Sequence, residues 1–275
     1  MLASETMWPV LPRRILEALL RSRPFQTLAR AGYHTCIGRT YQQDQQQAAA
    51  EFAAQALTSE ILQRHQVNCV LDVGANQGQF AASLRRSGYR GVILSFEPVA
   101  TTFAMLQRNA SADPHWHALP FALSDVEGER LLNVMEHSVF SSFLPPTSRY
   151  TSDFDQSNVV VAQQPVITRR LDGIVAEFSS LLPAEPRIFL KTDTQGFDLN
   201  VFRGVGTVLG LLELIQCEIS MLPIYDGAAG YLAALDEFGA AGFVPISFVP
   251  VTRDCDTLFA IEFDCLLMRL PRIHR

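Results

Sequence analysis

The chain has 275 residues, 48% of them apolar, and a formal net charge of −6, which suits one α/β domain with an extension and a sizeable core. A net negative charge argues against a nucleic-acid partner held by its phosphates, and no apolar run approaches the roughly 18 residues of a membrane span. Cysteines 36, 69, 217, 255 and 265 form no C-x-x-C pair, and the first twenty residues carry prolines and charges where a signal peptide needs an apolar stretch, so the expected compartment is the cytoplasm.

Residues 1–64 read as a helical N-terminal extension, followed by one domain over 65–275. Leu11, Ile15, Leu16, Leu19, Leu20, Phe25 and Leu28 recur at helical spacing, and Pro24 divides them between two helices. Residues 1–40 hold six arginines against Glu5 and Glu17, or +4, which leaves −10 for the rest. Such a basic amphipathic stretch packs on its own domain or on a second copy of the chain, and peripheral membrane contact is the alternative. The alanine-rich stretch that follows continues as helix to Arg64.

The run Val67–Val73 has the length and β-branching of a buried strand and carries Asp72 at its carboxyl end. The turn after it, Gly74-Ala75-Asn76-Gln77-Gly78, opens a helix at Gln79 that Gly88 closes. Gly74 and Gly78 allow a sharp turn with room for a ligand against the main chain, and the helix aims its free amides there. Gly91–Phe96 forms the second strand and delivers Glu97, followed by Pro98. Glu97 stands nineteen residues beyond Gly78, where an α/β nucleotide fold binds ribose hydroxyls. A dinucleotide site wants G-x-G-x-x-G, but Asn76 and Gln79 occupy two of those glycine positions. S-adenosylmethionine (SAM), whose amino-acid end needs less room than a pyrophosphate, fits the turn better, and an NAD-type oxidoreductase becomes the lesser rival.

Further on, Pro98–Asn109 reads as a helix and Trp116–Leu123 as the third strand, ending in Ser124 and Asp125. Residues 126–167 are an insertion in which Glu129–Val134 and Val159–Val166 could pair around a Ser-, Pro- and aromatic-rich loop; a loop of that length is usually functional or disordered. His137 lies in it, and the bland reading is a solvent-exposed side chain. Leu171–Leu182 is a helix. In the strand Arg187–Asp193, alternation puts Phe189, Lys191 and Asp193 on one face. In the strand Leu212–Ser220, Gln216, Glu218 and Ser220 share a face in the same way. Lys191 is the only lysine of the chain. In a buried strand it needs a partner, which Asp193 or Glu218 would supply. Asp198–Leu209 and Ala228–Gly239 are helices, Met221–Gly227 with Tyr225 is a loop, and Phe243–Val251 and Ile261–Arg269 close a mostly parallel, doubly wound seven-stranded sheet.

The blocks VLDVGANQGQF, SFEP, FALSD, LKTDTQGFDLNVFRGVG and EISMLPIYDG, in this order, resemble the FkbM-type SAM-dependent methyltransferases over about residues 65–270. Gln195 and Asp198 depart from the commonest form, which has glutamate at both positions. The resemblance implies a class I, Rossmann-like methyltransferase fold that binds SAM at Asp72, Gly74, Ala75, Asn76, Gly78, Gln79, Glu97 and Pro98, with Ser124 and Asp125 near adenine. It implies O-methyl transfer to a small-molecule or glycan acceptor, a hydroxyl of a sugar or polyketide-like metabolite, with Ser141 and Ser142 in the acceptor-binding insertion. Asp193, Glu218 and Lys191 are the catalytic candidates. In one arrangement Asp193 is the base and Glu218 neutralises Lys191. In the other, Asp193 and Glu218 share a divalent ion such as Mg2+, since hard oxygen ligands suit magnesium. A non-catalytic scaffold on the same fold would lose those carboxylates.

Overall fold

The computed structural model describes residue 50 and residues 52–147, 159–253 and 259–270. The helices expected over residues 7–31 lie outside the described residues. The first described helix, α1 (residues 52–64), places Ile61 and Leu62 in the core, and β1 (Cys69–Val73) follows it. Then come α2 (Gln79–Arg86), β2 (Val92–Phe96), α3 (Ala100–Ala110), β3 (Trp116–Leu119) and β4 (Ala122–Leu123). The insertion supplies β5 (Gly128–Met135) and β6 (Val160–Arg169). After them run α4 (Leu171–Glu177), β7 (Ile188–Thr192), α5 (Asp198–Arg203), β8 (Leu212–Ser220), α6 (Tyr231–Ala240), β9 (Phe243–Arg253) and β10 (Ala260–Arg269).

Seven strands form one sheet in the order β3-β2-β1-β7-β8-β10-β9. β10 alone runs antiparallel, against both β8 and β9. The central strands are apolar in unbroken runs because both faces are covered. Strand alternation divides their side chains between two cores. Leu71, Leu190 and Ile215 pack on one face, and Val70, Phe189 and Leu214 on the other. This is the doubly wound α/β arrangement expected from the sequence.

Several boundaries differ from the sequence reading; the helix expected over Leu171–Leu182, for one, ends at Glu177. The expected third strand, Trp116–Leu123, is two strands. β3 pairs with β2 only as far as Leu119, and the two-residue β4 pairs instead with β6. Pro120 stands at the break, where it has no N–H to continue the ladder. β4, β6 and β5 form a second, three-stranded sheet, so the described part of the insertion is built largely of sheet. The helix expected over Asp198–Leu209 is shorter: α5 ends at Arg203, and Gly206–Leu211 is a separate 3-10 turn.

Candidate active site

At the carboxyl ends of β1, β2, β7 and β8 lies a cavity of about 300 Å3, near the lower end of the roughly 300–1,000 Å3 usual for small-molecule sites. Phe96, Pro98, Val99, Ala122, Leu123, Leu132, Phe140, Phe143 and Val251 make most of its wall apolar. Its polar groups come from Gly74, Asn76 and Glu97 on one side and Asp193, Thr194, Gln195 and Glu218 on the other, with Ser138 and Ser141 from the insertion.

The first side is largely a backbone construction. Gly74 has φ +74° and Gly78 φ +89°, conformations that side-chain-bearing residues rarely adopt. A Cβ on Gly74 would stand 2.0 Å from the Asp193 carbonyl oxygen, and one on Gly78 2.5 Å from the Trp116 ring. The space these glycines free is therefore filled by protein. Gly74 lets β1 and β7 close on each other, and the ligand is left the lining of the turn itself. Glu97 accepts hydrogen bonds from the Asn76 N–H at 2.9 Å and the Val99 N–H at 2.9 Å. A carboxylate has about four lone-pair sites, so roughly two remain for a ligand. Burial pushes the Glu97 carboxyl up to about 7, against the pull of its two backbone donors.

The second side is a cross-strand row. Register sets Ser95, Asp72 and Lys191 side by side on β2, β1 and β7. Lys191 Nζ lies 3.0 Å from Asp193 Oδ2 and 3.7 Å from Asp72 Oδ1, and Asp72 also accepts from the Ser95 hydroxyl at 3.1 Å. Burial alone would lower the lysine's proton affinity. Asp193 and Asp72 outweigh it, so Lys191 stays charged. The expectation that Glu218 neutralises Lys191 is thereby corrected, because two aspartates take that role. Burial pushes Glu218 well above the usual carboxylate range, and the charges of Asp193 and Glu262 add to it. Glu218 remains partly exposed, and it lines the cavity.

Between Asp193 and Glu218 stands Gln195. Its Nε2 donates to Asp193 Oδ1 at 3.1 Å and to Glu218 Oε2 at 2.9 Å. An amide donor thus occupies the place a shared cation would take. Among the described residues no cluster of three or more His, Cys, Asp or Glu side chains is arranged to hold a metal. The pair Asp193–Glu218 does not fit the Mg2+ arrangement expected above.

The structure divides the remaining candidates. Gly74, Asn76, Glu97, Pro98, Asp193 and Glu218 line the cavity, and Asp72, Ala75, Gly78, Gln79, Lys191, Ser124 and Asp125 do not. Asp72 is wholly buried beneath the cavity as a partner of Lys191. Gln79 accepts from the Gln77 N–H at 3.1 Å. Ser124 is buried and donates to Asp125 at 2.9 Å, so this pair stabilises its own turn, and Ala122 and Leu123 take the lining position expected of it. His137 is exposed and absent from the wall. Tyr225 is buried, and its hydroxyl lies 2.8 Å from the Phe140 carbonyl and 3.0 Å from Gln195 Oε1. The three cysteines among the described residues, 69, 217 and 265, are buried and unpaired.

The insertion reaches both sides. Asn76 Nδ2 donates to Ser138 Oγ at 3.2 Å, while Ser142 Oγ donates to the Gln195 carbonyl at 2.7 Å. Ser138, Val139, Phe140, Ser141 and Phe143 therefore wall in the glycine turn as well as the carboxylates. Thr194, Gln195, Phe143 and Val251 were missed as wall residues. Only Gln195 carried a signal, as the polar side chain following Asp193 by two residues in a turn.

Among solved structures, an rRNA methylase from Streptococcus thermophilus shares 10% identity over 78% of this chain and 95% of its own, with a TM-score of 0.41. Magnesium protoporphyrin IX methyltransferase from Synechocystis PCC 6803, solved with bound SAM, shares 8% over 94% and 96%, with a TM-score of 0.43. Precorrin-6y C5,15-methyltransferase from Geobacter metallireducens GS-15 shares 11% over 78% and 87%, with a TM-score of 0.41. No curated protein matches the chain. The methyltransferase FkbM domain, however, matches residues 72–245. With its glycine turn, Glu97 and paired carboxylates all inside that match, the chain belongs to the FkbM methyltransferase domain family.

Proposed function

We propose that the protein transfers a methyl group from SAM to the hydroxyl of a small-molecule or glycan acceptor, with Glu218 as the base. One observation carries this reading: the glycine turn with Glu97 and the Asp193–Gln195–Glu218 group face a single cavity with apolar walls. The residues present suit the cofactor. Gly74 and Asn76 would take its amino-acid end, Glu97 its ribose hydroxyls through the two free lone pairs, and Val99, Ala122 and Leu123 its adenine. When bound, SAM supplies an electrophilic methyl group.

Everything else falls to the chain's own residues. An alcohol is a weak acid, so its proton needs an acceptor of raised proton affinity. Both Asp193 oxygens are engaged, one by the Lys191 ammonium and the other by the Gln195 amide, which leaves it poorly placed to take a further proton donor. Glu218 has one amide donor and a proton affinity raised by burial, and is the better matched of the two. It accepts the hydroxyl proton, Asp193 holds Lys191 and Gln195 in place, and Phe140 and Phe143 keep water from the reacting groups. The family resemblance favours sugar or polyketide-like hydroxyls, and the N-terminal segment is a candidate contact with a second copy or a membrane surface.

Calorimetry with S-adenosylhomocysteine, followed by methyl-labelled SAM offered to panels of neutral glycosides and polyketide alcohols, tests this reading. Binding and label on oxygen are expected. Failure to bind S-adenosylhomocysteine, or label on nitrogen or carbon alone, overturns it.

A further inference from the structure

Gln195 is buried, and its backbone is left-handed with φ +54°. For a residue with a side chain that conformation is strained and persists only where its surroundings hold it. Here they hold it from four directions. Nε2 faces two carboxylates, Oε1 faces the Tyr225 hydroxyl, and the backbone carbonyl accepts from Ser142. The chemistry fixes the amide's orientation, since two carboxylates demand the NH2, and the one hydrogen of the Tyr225 hydroxyl is shared between Gln195 Oε1 and the Phe140 carbonyl.

Two of these neighbours tie Gln195 to the insertion, Ser142 from within it and Tyr225 by contact with it. Ser142 exchanges backbone hydrogen bonds with Asn133 at 2.9 and 3.1 Å and lies next to Phe143 of the cavity wall. Tyr225 reaches the Phe140 carbonyl, another wall residue. From these contacts we infer that Gln195 is a positioning residue that joins the insertion wall to the base, so that seating of Ser138–Phe143 and the placement of Glu218 are set by one residue, its amide through Tyr225 and its backbone through Ser142. The role of Glu218 in this inference rests on the function proposed above. Glutamate, which the commonest family form carries here, is isosteric but can replace the amide only by holding a proton, since ionised it would bring a third negative charge between Asp193 and Glu218.

Two readouts that require no acceptor test this, on the full chain with and without S-adenosylhomocysteine. In hydrogen exchange, Gln195→Ala should speed the amides of residues 138–143 by about tenfold or more, equivalent to about 1.4 kcal/mol of local protection. Tyr225→Phe should speed them less, and the double variant should fall short of the sum, because the two side chains share a bond. In infrared spectra, Gln195→Glu should add a protonated-carboxyl band that Glu218→Gln removes. Wild-type exchange in Gln195→Ala, or a Gln195→Glu variant with a protected wall and no new band, overturns the inference. If instead both readouts behave as expected while Glu218→Gln still transfers methyl groups, the network stands and only the assignment of the base fails. Circular dichroism and the thermal midpoint identify any variant that has not folded, and Tyr225→Phe then tests the same bridge from its other end.

Discussion

The two sides of the cavity are built by different means. At the ends of β1 and β2, backbone amides do the work: Glu97 closes the Gly74–Gly78 turn through two N–H donors, and all of it lies within residues 72–99. At the ends of β7 and β8 the work falls to side chains from distant segments. Gln195 meets Glu218 across 23 residues, Tyr225 across 30 and Ser142 across 53. A cofactor common to many enzymes can be held by a local motif that tolerates little variation. An acceptor and its base need groups that no short stretch of chain supplies. A defect on the first side should therefore act on binding or folding, and one on the second on turnover.

The sharpest way to break this contrast is Glu218→Gln. Loss of the base should slow methyl transfer by roughly 10²–10⁴-fold and leave S-adenosylhomocysteine affinity nearly unchanged. Calorimetry beside a labelled-methyl assay reads both, and a weakened affinity with normal turnover would exchange the roles of the two sides. Because Glu218 must be ionised to act and its proton affinity is raised, wild-type transfer should rise with pH at values above the ordinary carboxylate range.

Glu97→Ala is the complementary variant. Removing a buried acceptor for a ligand hydroxyl costs on the order of 1–3 kcal/mol, so affinity should fall roughly 5- to 150-fold. At saturating SAM the turnover should largely recover, and equilibrium binding with saturation kinetics separates the two quantities.

Gly74→Ala tests whether the turn is set by the protein's own packing. The added Cβ would meet the Asp193 carbonyl oxygen at 2.0 Å, and a left-handed non-glycine residue costs on the order of 1–3 kcal/mol before that clash is counted. Thermal unfolding should shift down by roughly 2–4 °C for each kcal/mol lost in a domain of this size. An unchanged midpoint would show that β1 and β7 can part without cost.

The smallest effect expected is a drift of stability with pH. Burial raises Glu262 from its ordinary 4.5 to about 7 and Asp198 from 3.8 to about 6. Both Asp198 oxygens lack a hydrogen-bond partner, and the Thr192 and Thr194 hydroxyls temper the rise without making one. The folded state therefore binds protons that the unfolded chain has released. This contribution is fully present below the ordinary values and is lost as pH climbs to about 6 for Asp198 and about 7 for Glu262. Urea titrations at successive pH values should show stability falling over that window. Asp198→Asn should flatten its lower part and Glu262→Gln its upper part, and a wild-type curve that rises there would refute the assignment.

By itself the sequence determined the strands, their buried character and the glycine turn. Period-two alternation put Lys191 and Asp193 on one face, and the spacing of Gly74, Gly78 and Glu97 is a short-range matter of backbone geometry. Those are local properties, carried by residues close together in the chain. Only the tertiary structure decided what met what. Strand order brought Asp72 beside Lys191, so the lysine was satisfied without Glu218. Pro120 sent β4 to a second sheet, and with it Leu123 in place of Ser124 to the cavity wall. Gln195 took its place between two carboxylates because β7 and β8 are neighbours and the insertion folds over both. Pairings of this kind depend on segments far apart in the chain, and composition, periodicity and spacing do not encode them.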